Sequence, residues 1–203
     1  MPLIRRLWAQ DHVTYEGKYY RTQNATVYDR PERPVPLYVA AGGPQMAKYT
    51  GRIADGLICT SGKGAALYRD ELLPAFAEGA REAGREPEAL EKMIEVKVSF
   101  DPDHQRALED TRHWAVLALS GDEKVGVEDP RELERLADAL PVERTAQRFI
   151  VSSDPEEHVE QIMFYVRLGF RHLVFHAPGP DQPRFMDLYA QHVLPRLRTA
   201  AGA

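Results

Sequence analysis

A loop rich in glycine, hydroxyl and basic side chains occupies residues 60–64, between an apolar run typical of a strand and a segment typical of a helix. Thr60 and Ser61 offer hydroxyl groups, Lys63 offers an ammonium group, and the neighbouring glycines leave backbone N–H groups accessible. Donors of these kinds bind phosphate groups. The spacing is not that of a P-loop, which needs glycine at position 57 and serine or threonine at position 64. The segment therefore predicts a phosphate-binding loop, with a plain flexible loop as the alternative.

A second candidate anion site is the glycine pair Gly42 and Gly43. It stands directly before Pro44, a residue suited to the first position of a helix. The N-terminus of a helix offers free N–H groups and favours negative charge. The next residues, Gln45 and Met46, do not continue the G-x-G-x-x-G pattern of dinucleotide-binding proteins. An anion site and a tight turn are equally consistent with this pair.

Four further charged residues lie on other predicted elements. Lys124 stands in a polar connection among acidic residues, and Arg148 precedes a short extended segment at residues 150–151. Taken alone, each is typical of a surface cation. Glu95 and Lys97 lie on the same face of a predicted strand, because side chains two residues apart share a face. We therefore expect Glu95 and Lys97 to pair with each other.

The histidines and the single cysteine do not predict a metal site. His172 and His176 share a face of a predicted strand, but no third ligand lies at a suitable spacing. One cysteine, Cys59, excludes an intrachain disulfide framework and a cysteine-rich zinc site. His176 is better explained as a residue that lines a site or packs in the core.

The overall composition is that of one globular domain. The 203 residues carry a net charge of -5, with 43% hydrophobic and 28% charged residues, which supports a packed core. The excess of acidic residues does not favour nucleic-acid binding. No apolar run approaches the roughly 20 residues that span a bilayer, and the N-terminus lacks a signal-peptide pattern. We therefore predict a cytoplasmic protein that binds neither nucleic acid nor membranes.

The elements that must position these residues alternate between strand and helix. Four apolar strands are predicted, each followed by a helix, at residues 37–41, 57–60, 93–100 and 172–176. This alternation predicts an α/β fold with a parallel sheet, either doubly wound or a (β/α)8 barrel. In both architectures ligands meet the carboxyl ends of the strands. Four units are about half of the eight that a complete barrel needs.

The first 36 residues are predicted to form a helix, a hairpin and an extended connection. The helix at residues 3–8 has no preceding cap, from which we expect a longer parent chain, with a short fraying N-terminal helix as the alternative. Gly17 is predicted to supply the positive φ of a tight hairpin turn. We expect a single domain over residues 1–203, with the hairpin and connection at 12–36 and four strand–helix units at 37–203.

Five stretches of the sequence resemble the luciferase-like superfamily. They are residues 35–44, 55–64, 92–97, 137–141 and 172–179, and the similarity extends from Leu3 to about Arg198. Members of this superfamily are (β/α)8 barrels that use flavin or the deazaflavin coenzyme F420. The stretches are most similar to the family of F420-dependent glucose-6-phosphate dehydrogenases. The resemblance implies that this chain covers about the second half of a luciferase-like TIM barrel.

The resemblance also implies roles for residues that the patterns leave undecided. It implies that Gly42 and Gly43 contact the phosphate of F420 through backbone N–H groups, with Gln45 and Met46 alongside them in the cofactor site. Those implied to surround the phosphate of glucose 6-phosphate are Thr60, Lys63, Lys124 and Arg148. In this family a hydride passes from C1 of the sugar to C5 of F420, and the resemblance implies a homodimer. Val125 departs from the family, which often has histidine at that position.

The family residues that act on C1 of the sugar lie in the first half of the barrel, which these 203 residues do not match. We therefore assign no catalytic residue and expect this chain alone not to reduce F420. Two alternatives stay open. One is a half-barrel without catalysis that binds sugar phosphate or associates with another copy. The other is a different luciferase-like oxidoreductase that uses flavin or F420.

Overall fold

The computed structural model describes residues 1–202, and seven strands divide into two sheets. An antiparallel hairpin contains β1 (Val13–Glu16) and β2 (Arg21–Ala25). The main sheet is parallel throughout and contains β3 (Tyr38–Ala40), β4 (Gly56–Thr60), β5 (Glu91–Phe100), β6 (Ile150–Ser152) and β7 (His172–His176). The predicted α/β class with a parallel sheet is thereby confirmed.

The long strand β5 organises the sheet. Its residues 91–95 pair with β4, residues 93–97 pair with β7, and residues 98–100 pair with the short strand β6. The strands that begin the four predicted strand–helix units therefore follow one another in the order β3, β4, β5 and β7. This is the order of consecutive strands in a (β/α)8 barrel.

Helices separate the parallel strands and cover one face of the sheet. The first group is α1 (Pro2–Ala9), α2 (Pro44–Ile53), α3 (Leu73–Glu82, entered through a π-helical turn at Leu67–Leu72) and α4 (His104–Asp110, continued by 3₁₀ turns at Thr111–Ala118). The second group is α5 (Gly121–Lys124), α6 (Pro130–Asp138), α7 (Val142–Ala146), α8 (Pro155–Arg167), α9 (Gln182–Leu188, followed by a π-helical turn at Tyr189–Val193) and α10 (Leu194–Ala201). A short 3₁₀ turn at Pro87–Ala89 precedes β5.

The two faces of β5 have opposite character. Ile94, Val96 and Val98 are fully buried against the helices and belong to the main apolar core. Glu95 and Lys97 alternate with them and therefore project from the other face, which is the interior face of a barrel. The sheet thus buries its apolar side chains on the helical face and presents charged groups on the other.

The helix signals of the sequence are confirmed at α8. Asp154 caps this helix by accepting a hydrogen bond from the Glu156 N–H at 2.9 Å, and Gly169 follows it with a φ of +91°. A carboxylate at the cap satisfies an N–H group that has no partner within the helix. None of the helices in residues 1–202 is both long and apolar enough to cross a membrane.

The prediction that Gly17 supplies a positive φ is wrong. Gly17 is not among the residues with positive φ, whereas Asn24 on β2 has a φ of +51° beside a register shift in the hairpin. Glycine is required at position 17 because there is no room for a Cβ atom. A Cβ there would lie 2.5 Å from Cε1 of Tyr15 and 3.0 Å from the carbonyl oxygen of Tyr20.

Candidate functional site

The loop after β4 is fixed to β5 and to the helix layer by backbone-directed hydrogen bonds. The Ser61 N–H donates to the Glu95 carbonyl at 2.8 Å, and the Ser61 hydroxyl accepts from the Lys97 N–H at 2.7 Å. The Tyr68 hydroxyl, which is fully buried, donates to the Thr60 carbonyl at 2.8 Å. These bonds hold residues 60–64 at the carboxyl end of β4, so the loop is an ordered part of the site.

Gly62 brings this loop against Arg148. Its φ is +76°, a conformation that glycine adopts without steric cost. A Cβ at this position would lie 2.5 Å from the Arg148 carbonyl oxygen. Glycine is therefore needed both for the turn and for the close approach, and Lys63, the next residue, comes to the same place as Arg148.

Lys63 and Arg148 line one cavity of about 370 Å³, at the carboxyl end of β4 and beside the second half of β5. Within residues 1–202, no carboxylate lies within 4.0 Å of either cation. The Nε atom of Arg148 is buried and has no hydrogen-bond partner. A buried donor without a partner costs free energy, which an anionic ligand would recover. The cavity therefore has the chemistry of an anion site.

Lys97 lines the same cavity, although the sequence assigned it only a pairing role. Its residue is 4% exposed, and its Nζ donates to the Thr60 hydroxyl and lies 3.6 Å from Oε2 of Glu95. The predicted pair of Glu95 and Lys97 is thereby confirmed. Burial lowers the pKa of Lys97, Arg148 and Lys63 lower it further, and Glu95 opposes them. The alternation of polar residues along β5 was the signal that could have placed Lys97 in a site.

Two other residues predicted to bind the phosphate lie away from the walls of this cavity. Thr60 directs its hydroxyl to Glu95, donating to Oε2 at 3.0 Å. Lys124 ends α5 and is not among the residues that line the cavity. The structure therefore brings Lys63 and Arg148 together and adds Lys97, whose ammonium group donates to the Thr60 hydroxyl. The roles of Thr60 and Lys124 in binding stay predictions.

A wider cleft of about 620 Å³ lies on the other side of Glu95. His176 Nδ1 is 2.7 Å from Oε1 of Glu95, and the ring of Trp114 stands perpendicular to the His176 ring at 4.6 Å. Burial opposes ionisation of Glu95, but Lys97, Thr60 and His176 outweigh it and hold its pKa below the ordinary value. Glu95 is therefore an ionised link between the cavity and the cleft.

The glycine pair stands at an uncapped helix start. Gly43 is the cap residue of α2, no side chain caps that helix, and the first helical hydrogen bond runs from the Ala47 N–H to the Gly43 carbonyl. Gln45 and Met46 are exposed in the first turn. A Cβ at Gly42 or Gly43 would meet no atom within 4 Å, and the φ of Gly43 is extended at -155°. The fold itself leaves this space open, which fits close approach of a ligand phosphate.

The two histidines of β7 each lie close to a carboxylate. His172 lies 3.4 Å from Glu91, as His176 lies against Glu95. Across the described part of the chain, no group of three or more histidine, cysteine, aspartate or glutamate residues could hold a metal ion.

A parallel sheet with helices on one face and a cation-lined cavity at the carboxyl end of a strand is typical of barrel-type α/β proteins. The profile of the family described as luciferase-like monooxygenase matches residues 1–172. The chain belongs to this family, as its sequence predicts. The predicted fold, a luciferase-like (β/α)8 barrel of which this chain covers about half, agrees with that membership.

Curated relatives match almost the whole chain. An F420-dependent glucose-6-phosphate dehydrogenase from Beutenbergia cavernae is 62% identical over 97% of this chain, and the one from Nakamurella multipartita is 58% identical over 98%. The matches cover 58% and 59% of those relatives, respectively. The chain therefore spans less than two thirds of the length of the relatives that it matches.

Solved structures give the same relationship. An F420-dependent secondary alcohol dehydrogenase in complex with an F420–acetone adduct superposes with a TM-score of 0.83 at 29% identity, covering 97% of this chain and 59% of that one. The coenzyme F420 dependent tetrahydromethanopterin reductase from Methanopyrus kandleri superposes with a TM-score of 0.77 at 26% identity, covering 96% and 60%. The predicted resemblance to F420-dependent members of the family is confirmed.

Proposed function

We propose that this chain supplies the substrate-phosphate site and part of the cofactor site of an F420-dependent glucose-6-phosphate dehydrogenase. The observation that carries the proposal is the cavity in which Lys63 and Arg148 meet without a carboxylate partner. Relatives at 58–62% identity bear the name of that enzyme. Two unpaired cations suit a sugar phosphate better than an uncharged alcohol, because charge-assisted hydrogen bonds favour an anion.

In this role the chain's own residues bind and orient the substrate. Lys63 and Arg148 hold the phosphate, and the ordered loop at residues 60–64 fixes where it lies relative to β4. Holding one end of the sugar restricts the position of C1, the carbon that is oxidised, and correct positioning lowers the barrier of a transfer reaction. When bound, F420 supplies the hydride acceptor.

The residues at the start of α2 fit one phosphate of F420. Gly42 and Gly43 leave open space, and the uncapped turn that contains Gln45 and Met46 offers N–H groups. A helix N-terminus of this kind favours an anion. We propose that the phosphate of F420 lies there, one strand away from the phosphate of the sugar.

Titration calorimetry of the 203-residue chain tests the substrate class. Glucose 6-phosphate should bind and glucose should not, because only the former carries the charge that Lys63 and Arg148 complement. Lys63→Ala should weaken glucose 6-phosphate binding by about 1.5–3 kcal/mol, or one to two decades in Kd. Lys18→Ala, on the exposed hairpin loop, is the matched control and should bind as the wild type does. Unchanged affinity in Lys63→Ala would show that the phosphate binds elsewhere.

A second candidate is another F420-dependent oxidoreductase of this family. It is favoured by the structural similarity to an F420-dependent secondary alcohol dehydrogenase in complex with an F420–acetone adduct. The same titrations separate the two, since binding of F420 without binding of any sugar phosphate would support the second candidate. We also propose a homodimer, which light scattering on the purified chain would test.

A further inference from the structure

The burial of Lys97 is not explained by packing alone. The residue is 4% exposed, and an ammonium group is costly to bury unless it is paired and hydrogen-bonded. Its Nζ donates to the Thr60 hydroxyl and to the Ser61 carbonyl at 3.4 Å. Oε2 of Glu95, at 3.6 Å, lies beyond the range of a good hydrogen bond. One of the three N–H donors of this ammonium is therefore left without a close acceptor.

Lys97 also lies close to two other cations, Lys63 and Arg148. It borders the cavity that Lys63 and Arg148 line, and both of these disfavour its charge. Three cations around one cavity, compensated by the single carboxylate Glu95, leave an excess of positive charge. Like charges gathered in this way repel one another and destabilise the fold, and an anion bound between them would offset that repulsion.

We propose that Lys97 is a third phosphate-binding cation of this cavity and that Glu95 is the positioning residue that holds its ammonium group toward it. The inference rests on the proposed function, because it assigns a further residue to the same substrate site. One oxygen of Glu95, Oε2, forms the ion pair with the Lys97 ammonium group. The other, Oε1, lies 2.7 Å from Nδ1 of His176, which holds the carboxylate in place.

Phosphate binding should therefore be coupled to protonation of Lys97. Burial, Arg148 and Lys63 lower its pKa in the free chain, and Glu95 partly restores it. Of the other titratable groups nearby, Tyr165 lines the cavity, and His176 faces Lys97 only across Glu95. A phosphate dianion in the cavity would favour the charged form of Lys97 and raise its pKa. Binding at alkaline pH should then take up protons.

Calorimetry with inorganic phosphate at pH 9, in two buffers of different ionisation enthalpy, measures this uptake. Free phosphate is already a dianion at that pH, so the ligand itself contributes little. The wild-type chain should take up protons on binding. Lys97→Arg should bind phosphate within a few-fold of the wild type without the uptake, because arginine stays protonated. Lys97→Met should lose about ten- to hundredfold in affinity.

Two further variants separate a binding role from a structural one. Lys92→Arg, the matched control, replaces another lysine of β5 whose pKa is also lowered by burial but which does not line the cavity, and it should retain the proton uptake. Glu95→Gln should weaken phosphate binding more at pH 9 than at pH 7, because Lys97 then loses the carboxylate that supports its charge. If Glu95→Gln lowers affinity equally at both pH values, the positioning role of Glu95 is wrong.

The outcomes distinguish the inference from the proposed function. If the wild type does not bind phosphate at all, both are refuted. If the wild type binds but Lys97→Met binds equally well, only the role of Lys97 is refuted. Should Lys97→Met fail to fold, as judged by its urea midpoint, the loss of proton uptake in folded Lys97→Arg still decides, and retained uptake in that variant overturns the inference.

Discussion

Replacing Arg148 with methionine should have opposite effects on binding and on stability. Methionine keeps much of the aliphatic volume and removes the guanidinium group. Loss of charged hydrogen bonds to the ligand should weaken phosphate binding by about 1.5–3 kcal/mol, or one to two decades in Kd. The same change removes the buried Nε that has no partner in the free chain. Such a donor costs roughly 1–3 kcal/mol when fully buried.

The expected gain in stability is smaller than that figure, because Arg148 is only half-buried and solvent reaches part of its guanidinium. We therefore expect the free energy of unfolding of Arg148→Met to equal that of the wild type or to exceed it by up to about 1 kcal/mol. The measurements are titration calorimetry with glucose 6-phosphate and urea unfolding of the ligand-free chain. Weaker ligand binding together with unchanged or higher stability is expected of a residue that serves binding, because its unpaired donor destabilises the ligand-free fold.

Arg135→Met is the matched control for this experiment. Arg135 lies on α6, its side chain is 68% exposed, and it pairs with Glu132 at 2.6 Å. Exposed ion pairs contribute little, so both affinity and stability should stay within about 0.5 kcal/mol of the wild type. The reasoning is refuted if Arg148→Met binds glucose 6-phosphate as tightly as the wild type. It is also refuted if that variant is destabilised by more than about 2 kcal/mol, which would mean that the guanidinium has a structural partner.

Three further changes test the loop, the cofactor site and the buried histidine. Gly62→Ala places a Cβ 2.5 Å from the Arg148 carbonyl oxygen, at a residue with positive φ. Calorimetry should therefore show phosphate binding that is weaker by at least about tenfold. The control is Gly64→Ala, whose Cβ would meet no atom within 4 Å, and it should bind phosphate as the wild type does. Gly43→Val should weaken F420 binding, followed by fluorescence, without lowering the urea midpoint; equal F420 affinity would place the cofactor elsewhere. Burial lowers the pKa of His158 to about 4, below the value of about 6.5 in an unfolded chain. The unfolded state therefore binds the proton first as pH falls, and the unfolding free energy should decrease by on the order of 3 kcal/mol between pH 7 and pH 4. His158→Gln should flatten that decrease in urea titrations, and a slope like that of the wild type would contradict the assignment.

The order of strands and helices was predictable because local signals agree with the tertiary structure. Strand β7 spans His172–His176, the residues predicted, since Gly169 ends the preceding helix and Pro178 follows the strand. Helix α2 likewise begins at the predicted Pro44. Glycine and proline signals of this kind act on residues only a few positions away, so they can be recognised in a single sequence.

Helix interiors and the hairpin turn were less predictable. The segment from 104 to 119 looks like one helix, yet Trp114 has a φ of -125° and breaks it. Trp114 stands there against His176, a contact between residues far apart in the chain. Gly17 was assigned to the right turn for the wrong reason, because the Tyr15 side chain and the Tyr20 carbonyl that crowd it are placed by the hairpin as a whole.

Which residues belong to the candidate site could be inferred from the family resemblance and from tertiary contacts, but not from sequence motifs. Lys63 stood out by its loop, while Arg148 had no local signal at all. Lys97 looked like half of an ion pair, because its burial depends on Thr60 and Ser61, which lie 36–37 residues earlier in the chain. A lysine's burial and the charges around it are set by the packed structure, so no spacing rule could reveal them.

Under the proposed function, one short segment of chain would bind two anions, and the adjacency of two strands in the sheet would allow this. Strands β3 and β4 are neighbours, so the glycine pair after β3 and the loop after β4 emerge about 5 Å apart at the same edge. A cofactor phosphate on the first and a sugar phosphate on the second would repel each other unless positive charge accompanied them. The cations that line the cavity come from the loop after β4, from β5 and from the segment before β6, on the side of the proposed sugar-phosphate site. The cations that repel one another in the ligand-free fold thus lie where they would reduce the repulsion between two bound phosphates.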